Sequence, residues 1–253
     1  MKNSHKLTDV IFKINREGYY VLDRFFDKAF CEETINEINY LSNKTPNKFK
    51  TSRKENSSGD IRIFKFEKIS LNAIKFKNNI FFKNILLKLS DVKSLFVLAG
   101  RVDFDNENET NSGGGWHRDS FFSQYKVMVY LSDVNTRNGP FLFLPNSKNF
   151  DFKNFRKIKL NFFQRFKSVI LRKQLVDLRI DENDISRFKE KYKIQPIEII
   201  GKQGTVIIFD GSYTHKAKNI EKESRYTLTN YFFKKNKISY FLKYLQFKDK
   251  FIK

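Results

Sequence analysis

The apolar positions follow a helical pattern over the first third of the chain. The segments DKAFCEETINEINYLS and KISLNAIKFKNNIFFKNILLKLSD carry apolar residues at the i, i+3, i+4 spacing of an amphipathic helix. Between them, residues 42–60 are polar and rich in turn formers, which favours a loop. We therefore predict an N-terminal helical layer over about residues 1–92, with a short extended segment at GYYVLDRFF.

The pattern changes to that of short strands after about residue 93. Runs rich in Val, Ile, Phe, Tyr and Thr are separated by turn signals in LFVLAGRVDF, YKVMVYLSDV, GPFLFLP, GTVIIFDGS and RYTLTNYFF. Successive strands without helices between them are typical of an antiparallel sandwich or barrel. The predicted class is mainly β with flanking helices (α+β), as a single domain over residues 1–253 with its core at about 93–147 and 201–233.

Two more segments depart from the strand pattern. Residues 148–200 are basic and aromatic and favour a helical insertion, and the sequence KISYFLKYLQFKDKFIK predicts a C-terminal helix over about 237–250. Long insertions between core strands often serve as lids or binding loops, so we expect this one to select an anionic, partly apolar substrate. The alternative is a helical layer that only covers the sheet.

Composition limits the classes of protein without choosing one. The formal net charge is +21, which is compatible with a nucleic-acid partner, but the basic residues are spread along the whole chain. The single cysteine, Cys31, excludes an intramolecular disulfide, and the N-terminus lacks a signal-peptide pattern. Every apolar run is shorter than the roughly 18 to 20 residues that span a bilayer. We expect a cytoplasmic protein without a membrane span.

Candidate metal chemistry begins in the stretch GGGWHRDS, where His117 and Asp119 form a His-x-Asp pair. On a strand, residues i and i+2 project from one face, which would present two metal ligands together. The chain has three histidines, and His215 follows an apolar strand and an Asp-Gly turn. Two histidines and a carboxylate are the facial set of iron(II) oxygenases, which leaves positions for a chelating cosubstrate and dioxygen. A simple surface hydrogen bond within the pair is the alternative.

Three further residues are candidates for anion binding. Arg225 and Thr227 share one face of a predicted strand shortly after His215, and a guanidinium beside a hydroxyl is suited to hold a carboxylate. Lys126 faces the same way as Met128 on its own strand and could donate to the cosubstrate or the substrate. In the alternative interpretation, Arg225 and Lys126 are ordinary surface cations.

Three segments carry a resemblance to a known family: WHRDSFFSQYKVMVYLSDVNTRNGPFLFLPNS, GTVIIFDGSYTHKAKN and RYTLTNYFF. They resemble the phytanoyl-CoA dioxygenase family of iron(II)/2-oxoglutarate-dependent oxygenases over residues 114–147 and 204–233, and residues 18–39 resemble it more loosely. The resemblance implies a cupin-like double-stranded β-helix, or jelly roll. One departure is Asn146 in the turn Pro-Asn-Ser-Lys, where the family often has glycine; asparagine also tolerates the left-handed conformation.

The resemblance also implies roles for the candidate residues. His117, Asp119 and His215 are the expected iron(II) ligands, and Arg225 is expected to pair with the distal carboxylate of 2-oxoglutarate with support from Thr227. The implied reaction is a dioxygenase hydroxylation of an unactivated C–H bond in a small anionic metabolite or a carrier-linked substrate. Two alternatives stay open, namely an oxygenase that acts on nucleic acid and a non-catalytic basic binding module.

Overall fold

A computed structural model of the chain describes residues 7–44, 60–104, 114–119, 124–148, 150 and 179–234. The predicted C-terminal helix and residues 151–178 of the predicted insertion lie outside these ranges. Among the described residues, no helix combines the length and apolarity needed to cross a membrane.

Two antiparallel sheets form the body of the fold. In chain order the described strands are β1 Tyr19–Leu22, β2 Asp60–Phe64, β3 Val92–Asp103, β4 Tyr125–Tyr130, β5 Phe141–Phe143, β6 Ile197–Ile199, β7 Val206–Asp210, β8 His215–Ala217 and β9 Ser224–Lys234. The larger sheet has the strand order β1-β7-β4-β9-β3-β2 and the smaller one has the order β6-β5-β8. This arrangement is that of a jelly roll, and it confirms the predicted mainly β class.

The N-terminal helices form as the apolar spacing predicts, with one difference. The pattern over 68–92 gives two helices, because Ser70 caps the first and Asn79 caps the second, each accepting hydrogen bonds from backbone N–H groups of its own first turn. A short 3-10 turn, Phe66–Lys68, precedes them. The described helices are α1 Leu7–Glu17, α2 Lys28–Lys44, α3 Leu71–Lys77, α4 Ile80–Leu89 and α5 Glu182–Tyr192.

The two faces of the larger sheet have different partners because successive side chains of a strand point to opposite faces. One face packs on α1 to α4 in the largest apolar cluster, which includes Ile63, Val97, Val127, Ile208 and Leu228. The other face looks towards the smaller sheet and lines a cavity. The helices therefore support the outside of the sheet and leave its inner face for a ligand.

The described end of the segment 148–200 contains both a helix and a strand. Helix α5 packs Ile185 and Phe188 against Trp116 and Leu144, and β6 pairs with β5 in the smaller sheet. Residues 197–199 therefore form a strand of the smaller sheet at the end of this segment.

Candidate metal centre

A cavity of about 350 Å³ lies on the inner face of the larger sheet. Its wall carries apolar, aromatic and charged side chains together. Among the described residues that line it, the charged ones are Arg62, Asp119, Lys126 and Arg225. Three cations thus share the cavity with one carboxylate and two histidines.

His117, Asp119 and His215 meet at one end of this cavity. Each offers one ligand atom, and these atoms all lie within 4.8 Å of one another. The backbones of the two histidines are joined directly: the N–H of His117 donates to the carbonyl of His215 at 3.0 Å, and the reverse bond is 2.9 Å. The expectation that His117 and Asp119 lie on a regular strand is wrong, because His117 forms an isolated bridge and Asp119 lies in a bend.

Backbone carbonyls orient both imidazoles. The Nδ1 of His117 lies 2.9 Å from the carbonyl of Gly115, and the Nδ1 of His215 lies 2.9 Å from the carbonyl of Tyr213. A carbonyl can only accept, so each Nδ1 is placed to donate its proton to a carbonyl. This orientation turns both Nε2 atoms towards Asp119, where a metal ion would be held.

The carboxylate of Asp119 is placed by the turn before His215. The N–H of Asp119 donates to the carbonyl of Gly211 at 2.8 Å, and its Oδ2 lies 3.3 Å from Nε2 of His215. A Cβ at Gly211 would come within 2.4 Å of that Oδ2. Sequence reasoning missed this glycine, and its place between Asp210 and Ser212 near a candidate ligand was the available signal.

Lys126 is buried beside the same carboxylate. Its side chain is 8% exposed, its Nζ lies 2.7 Å from Oδ2 of Asp119, and it lies over the ring of Tyr231 at 4.6 Å from the centroid. The alternative of a solvent-facing lysine is therefore wrong. Lys126 therefore belongs to the end of the cavity that contains the candidate ligands His117, Asp119 and His215, which we call the metal end.

The pKa values at this end favour a charged pair beside a neutral imidazole. Desolvation, with the His215 ring next to it, lowers the pKa of His117 to about 3. Burial alone would raise the pKa of Asp119, but the Lys126 ammonium and both imidazoles hold that pKa well below its usual range. Burial also opposes the charge of Lys126, yet Asp119 raises its pKa. An ionised carboxylate and a neutral histidine are the forms that bind a metal.

The strand register places two of the anion-binding candidates, Thr227 and Arg225, in neighbouring rows. Thr227 of β9 lies between Tyr130 and Gly100, and Gly100 in turn pairs with Arg62 of β2. Arg225 belongs to the next row, is 8% exposed, and has its pKa lowered by desolvation. It is therefore not a surface arginine.

Arg62 and Gly100 were not identified from the sequence. A Cβ at Gly100 would lie 3.0 Å from Oγ1 of Thr227, so the glycine leaves space between Thr227 and Arg62. The alternation of DIRIF, which sets Arg62 opposite two buried isoleucines, was the available signal for an inward-facing arginine.

Three further residues shape the chain around the ligands. Gly115 has φ of +80°, which agrees with a bend just before His117. Trp116 is a core residue in the cluster with α5, and its indole donates to Glu182. Asn146 adopts φ of +57°, so the turn survives without the family's glycine. Gly113 lies outside the described residues.

Comparison with known proteins agrees with this geometry. A family model described as Phytanoyl-CoA dioxygenase (PhyH) matches residues 14–225. A search of curated proteins finds no match.

Solved structures share the fold at low sequence identity. The epimerase SnoN, in complex with Fe³⁺, alpha ketoglutarate and nogalamycin RO, has a TM-score of 0.66 at 14% identity, over 91% of this chain and 84% of that one. EctD from S. alaskensis with bound Fe has a TM-score of 0.61 at 15% identity, over 92% and 79%. HygX from Streptomyces hygroscopicus, with nickel and 2-oxoglutarate bound, has a TM-score of 0.60 at 12% identity, over 90% and 87%.

Proposed function

The chain belongs to the phytanoyl-CoA dioxygenase family, and we propose that it is an iron(II)- and 2-oxoglutarate-dependent dioxygenase that hydroxylates a C–H bond of a small anionic substrate. The observation that carries this proposal is the convergence of His117, Asp119 and His215 at one end of a cavity that also contains Arg225. The structural neighbours that bind iron or nickel together with a 2-oxo acid support the same cofactor pair.

The donor set fits iron(II). Two imidazoles whose Nδ1 atoms face backbone carbonyls, together with the carboxylate of Asp119, make the 2-His-1-carboxylate facial set, which leaves open positions on the metal. In the proposed site, His117, Asp119 and His215 hold the ion. The bound iron, with 2-oxoglutarate and dioxygen, supplies the oxidising chemistry.

The residues of the chain position the cosubstrate and exclude water. We assign the distal carboxylate of 2-oxoglutarate to Arg225, because a buried guanidinium pairs strongly with a carboxylate, and Thr227 supplies a hydroxyl two residues along the same face. Lys126, at the metal end, is available to the oxo-acid end of the cosubstrate or to the substrate. Phe209 and Phe141, whose ring centroids each lie 5.3 Å from that of His215, keep this end apolar around the ligands.

The cavity charge favours an anionic substrate. Arg62, Lys126 and Arg225 face one carboxylate, Asp119, among the described lining residues. Buried Asp60 offsets one of these charges near Arg225. Iron(II) adds two positive charges and 2-oxoglutarate removes two, so positive charge still remains for a second anion. A role of the insertion in substrate selection stays a prediction, because residues 151–178 lie outside the described ranges.

The single cysteine bears on the cellular compartment of the protein. We propose a cytoplasmic location, because the single cysteine, Cys31, is a buried thiol whose pKa burial raises to about 12. Such a cysteine is used for packing, and it needs no oxidising compartment.

A metabolite screen tests the proposed function. The protein is supplied with iron(II), 2-oxoglutarate and dioxygen, and small metabolites are sorted into anionic and neutral pools. We expect succinate release to rise with an anionic pool, and mass spectrometry to find a product that has gained one oxygen atom. Stimulation by neutral compounds alone would remove the charge argument, and absence of succinate in all pools would contradict the dioxygenase assignment.

A further inference from the structure

Lys126 stands out among the charged groups of the cavity because it contacts a candidate metal ligand directly. Its Nζ lies 2.7 Å from Oδ2 of Asp119, and that same oxygen lies 3.3 Å from Nε2 of His215. An ion held by this oxygen therefore shares it with an ammonium group. The sheet fixes this neighbour in place, because Lys126 of β4 is paired on both sides, with Phe209 of β7 and with Tyr231 of β9.

We propose that Lys126 is a positioning residue that weakens binding of the metal alone and thereby makes metal binding depend on 2-oxoglutarate. This inference rests on the proposed function, and it adds a binding order to it. The metal is held tightly when the dianion is present and weakly when it is absent.

Charge repulsion between the Lys126 ammonium and a metal cation is strong in a site with little water. Lys126 is 7% exposed, and at this depth two positive centres around one carboxylate oxygen repel each other more strongly than they would in bulk water. The ammonium also engages part of the charge of Asp119 that would otherwise go to the metal. Both effects lower the affinity of the three ligands for a divalent cation.

The cosubstrate offsets the positive charge of the cavity. Arg62 and Arg225 line the same cavity, so the described cations outnumber the single carboxylate before a metal arrives. A dicarboxylate offsets the charges of the metal and of these side chains together. Because coupling between two ligands is reciprocal, the metal should raise the affinity for 2-oxoglutarate by the same factor.

The aromatic neighbours of Lys126 decide which replacement removes its charge and keeps its packing. Its ammonium lies over Tyr231, and the Phe209 ring centroid is 5.7 Å away, so the aromatic rings hold it beside Asp119. A side chain of similar length without charge, as in Lys126→Met, keeps much of this packing and removes the repulsion. Lys126→Arg keeps the charge.

The test measures the dissociation constant of Mn(II), a redox-stable probe, with and without saturating 2-oxoglutarate. For Lys126→Met we expect Mn(II) alone to bind roughly tenfold tighter or more than to the wild type, with a smaller further gain on adding 2-oxoglutarate. Lys126→Arg should restore weak binding of Mn(II) alone. A purely structural role for Lys126 predicts the opposite sign, because a disordered carboxylate binds the metal less well.

The matched control is Lys77→Met, which removes a partly buried lysine paired with a carboxylate, Glu67, away from the cavity. It should leave Mn(II) binding unchanged. Unchanged or weaker binding of Mn(II) to Lys126→Met overturns the inference alone, provided that the wild type binds Mn(II). Failure of the wild type to bind Mn(II) under either condition overturns the proposed function as well. If Lys126→Met does not fold, Lys126→Gln is measured and interpreted by the same criteria.

Discussion

At the scale of single residues, the centre depends on short backbone contacts that orient a few polar side chains. Carbonyls of Gly115 and Tyr213 set the two imidazoles, and the Gly211 carbonyl anchors the N–H of Asp119. Arg225 is desolvated and lies in a different row of β9 from Tyr231, the strand partner of Lys126. Metal affinity and 2-oxoglutarate affinity should therefore respond to different substitutions.

Arg225→Gln separates the two affinities. Removing the guanidinium leaves the distal carboxylate of 2-oxoglutarate buried without its charged partner, so we expect its dissociation constant to rise about 100-fold or more. Metal binding measured without 2-oxoglutarate should stay close to the wild-type level. Arg101→Gln, which removes an arginine paired with Asp103 rather than facing the cavity, is the control. An unchanged dissociation constant for 2-oxoglutarate would assign the carboxylate to another cation, with Lys126 and Arg62 the first to test.

Gly211→Ala acts on the metal ligands instead. The added Cβ would lie 2.4 Å from Oδ2 of Asp119, so the carboxylate must move, and metal affinity should fall at least about tenfold. Gly100→Ala crowds Thr227 and should weaken 2-oxoglutarate binding while sparing the metal. Calorimetric titration of both variants with Mn(II) would refute this division if the two lost metal affinity equally.

These residues also show how much of the site could be predicted. A motif with a rare residue type carries His117 and Asp119 two positions apart, and the strand that follows His215 identifies Arg225 by alternation. Gly211 and Arg62 act through contacts with residues distant in sequence, which the chain order does not reveal. The isolated bridge at His117 was missed for the same reason, since its partner, His215, is far along the chain.

At the scale of elements, the apolar pattern predicts the strands well because both faces of the larger sheet are covered. The strands β4 and β7 are mostly buried, and their runs of Val and Ile show this directly. The helix boundary between α3 and α4 was harder to predict, because two adjacent asparagines interrupt a continuous apolar spacing. Capping chemistry, not periodicity, separates these helices.

The helical layer should contribute strongly to stability. Phe82 of α4 is fully buried, and its ring lies among those of Phe25, Phe26, Phe76 and Phe81. We expect Phe82→Ala to lower the free energy of unfolding by about 3–5 kcal/mol in urea denaturation, because a large cavity remains.

The control for this substitution lies on the same helix. Leu87 is 55% exposed, and Leu87→Ala should cost less than about 1 kcal/mol. Equal losses for the two variants would show that α4 does not pack on the sheet as described.

At the scale of the whole molecule, the charge of +21 and the positive cavity are separate properties. The surface charge leaves nucleic-acid binding as an open alternative, which salt-dependent binding would test. The single-domain organisation over residues 1–253 also stays a prediction.

The ligands should stabilise the fold as a unit if they bind the native state. Saturating Mn(II) with 2-oxoglutarate should raise the midpoint of thermal unfolding, since ligand at about 100 times its dissociation constant contributes about 2.7 kcal/mol. A chelator should reverse the shift. The same shift in His117→Ala would place the binding elsewhere.

The central claim is that His117, Asp119 and His215 hold an iron(II) ion that recruits 2-oxoglutarate. Anaerobic equilibrium dialysis with both ligands measures this directly. We expect about one iron(II) and one 2-oxoglutarate per wild-type chain, and loss of specific iron binding in a folded Asp119→Ala variant. Full iron occupancy in that variant, or failure of the wild type to retain iron and 2-oxoglutarate together, would contradict it.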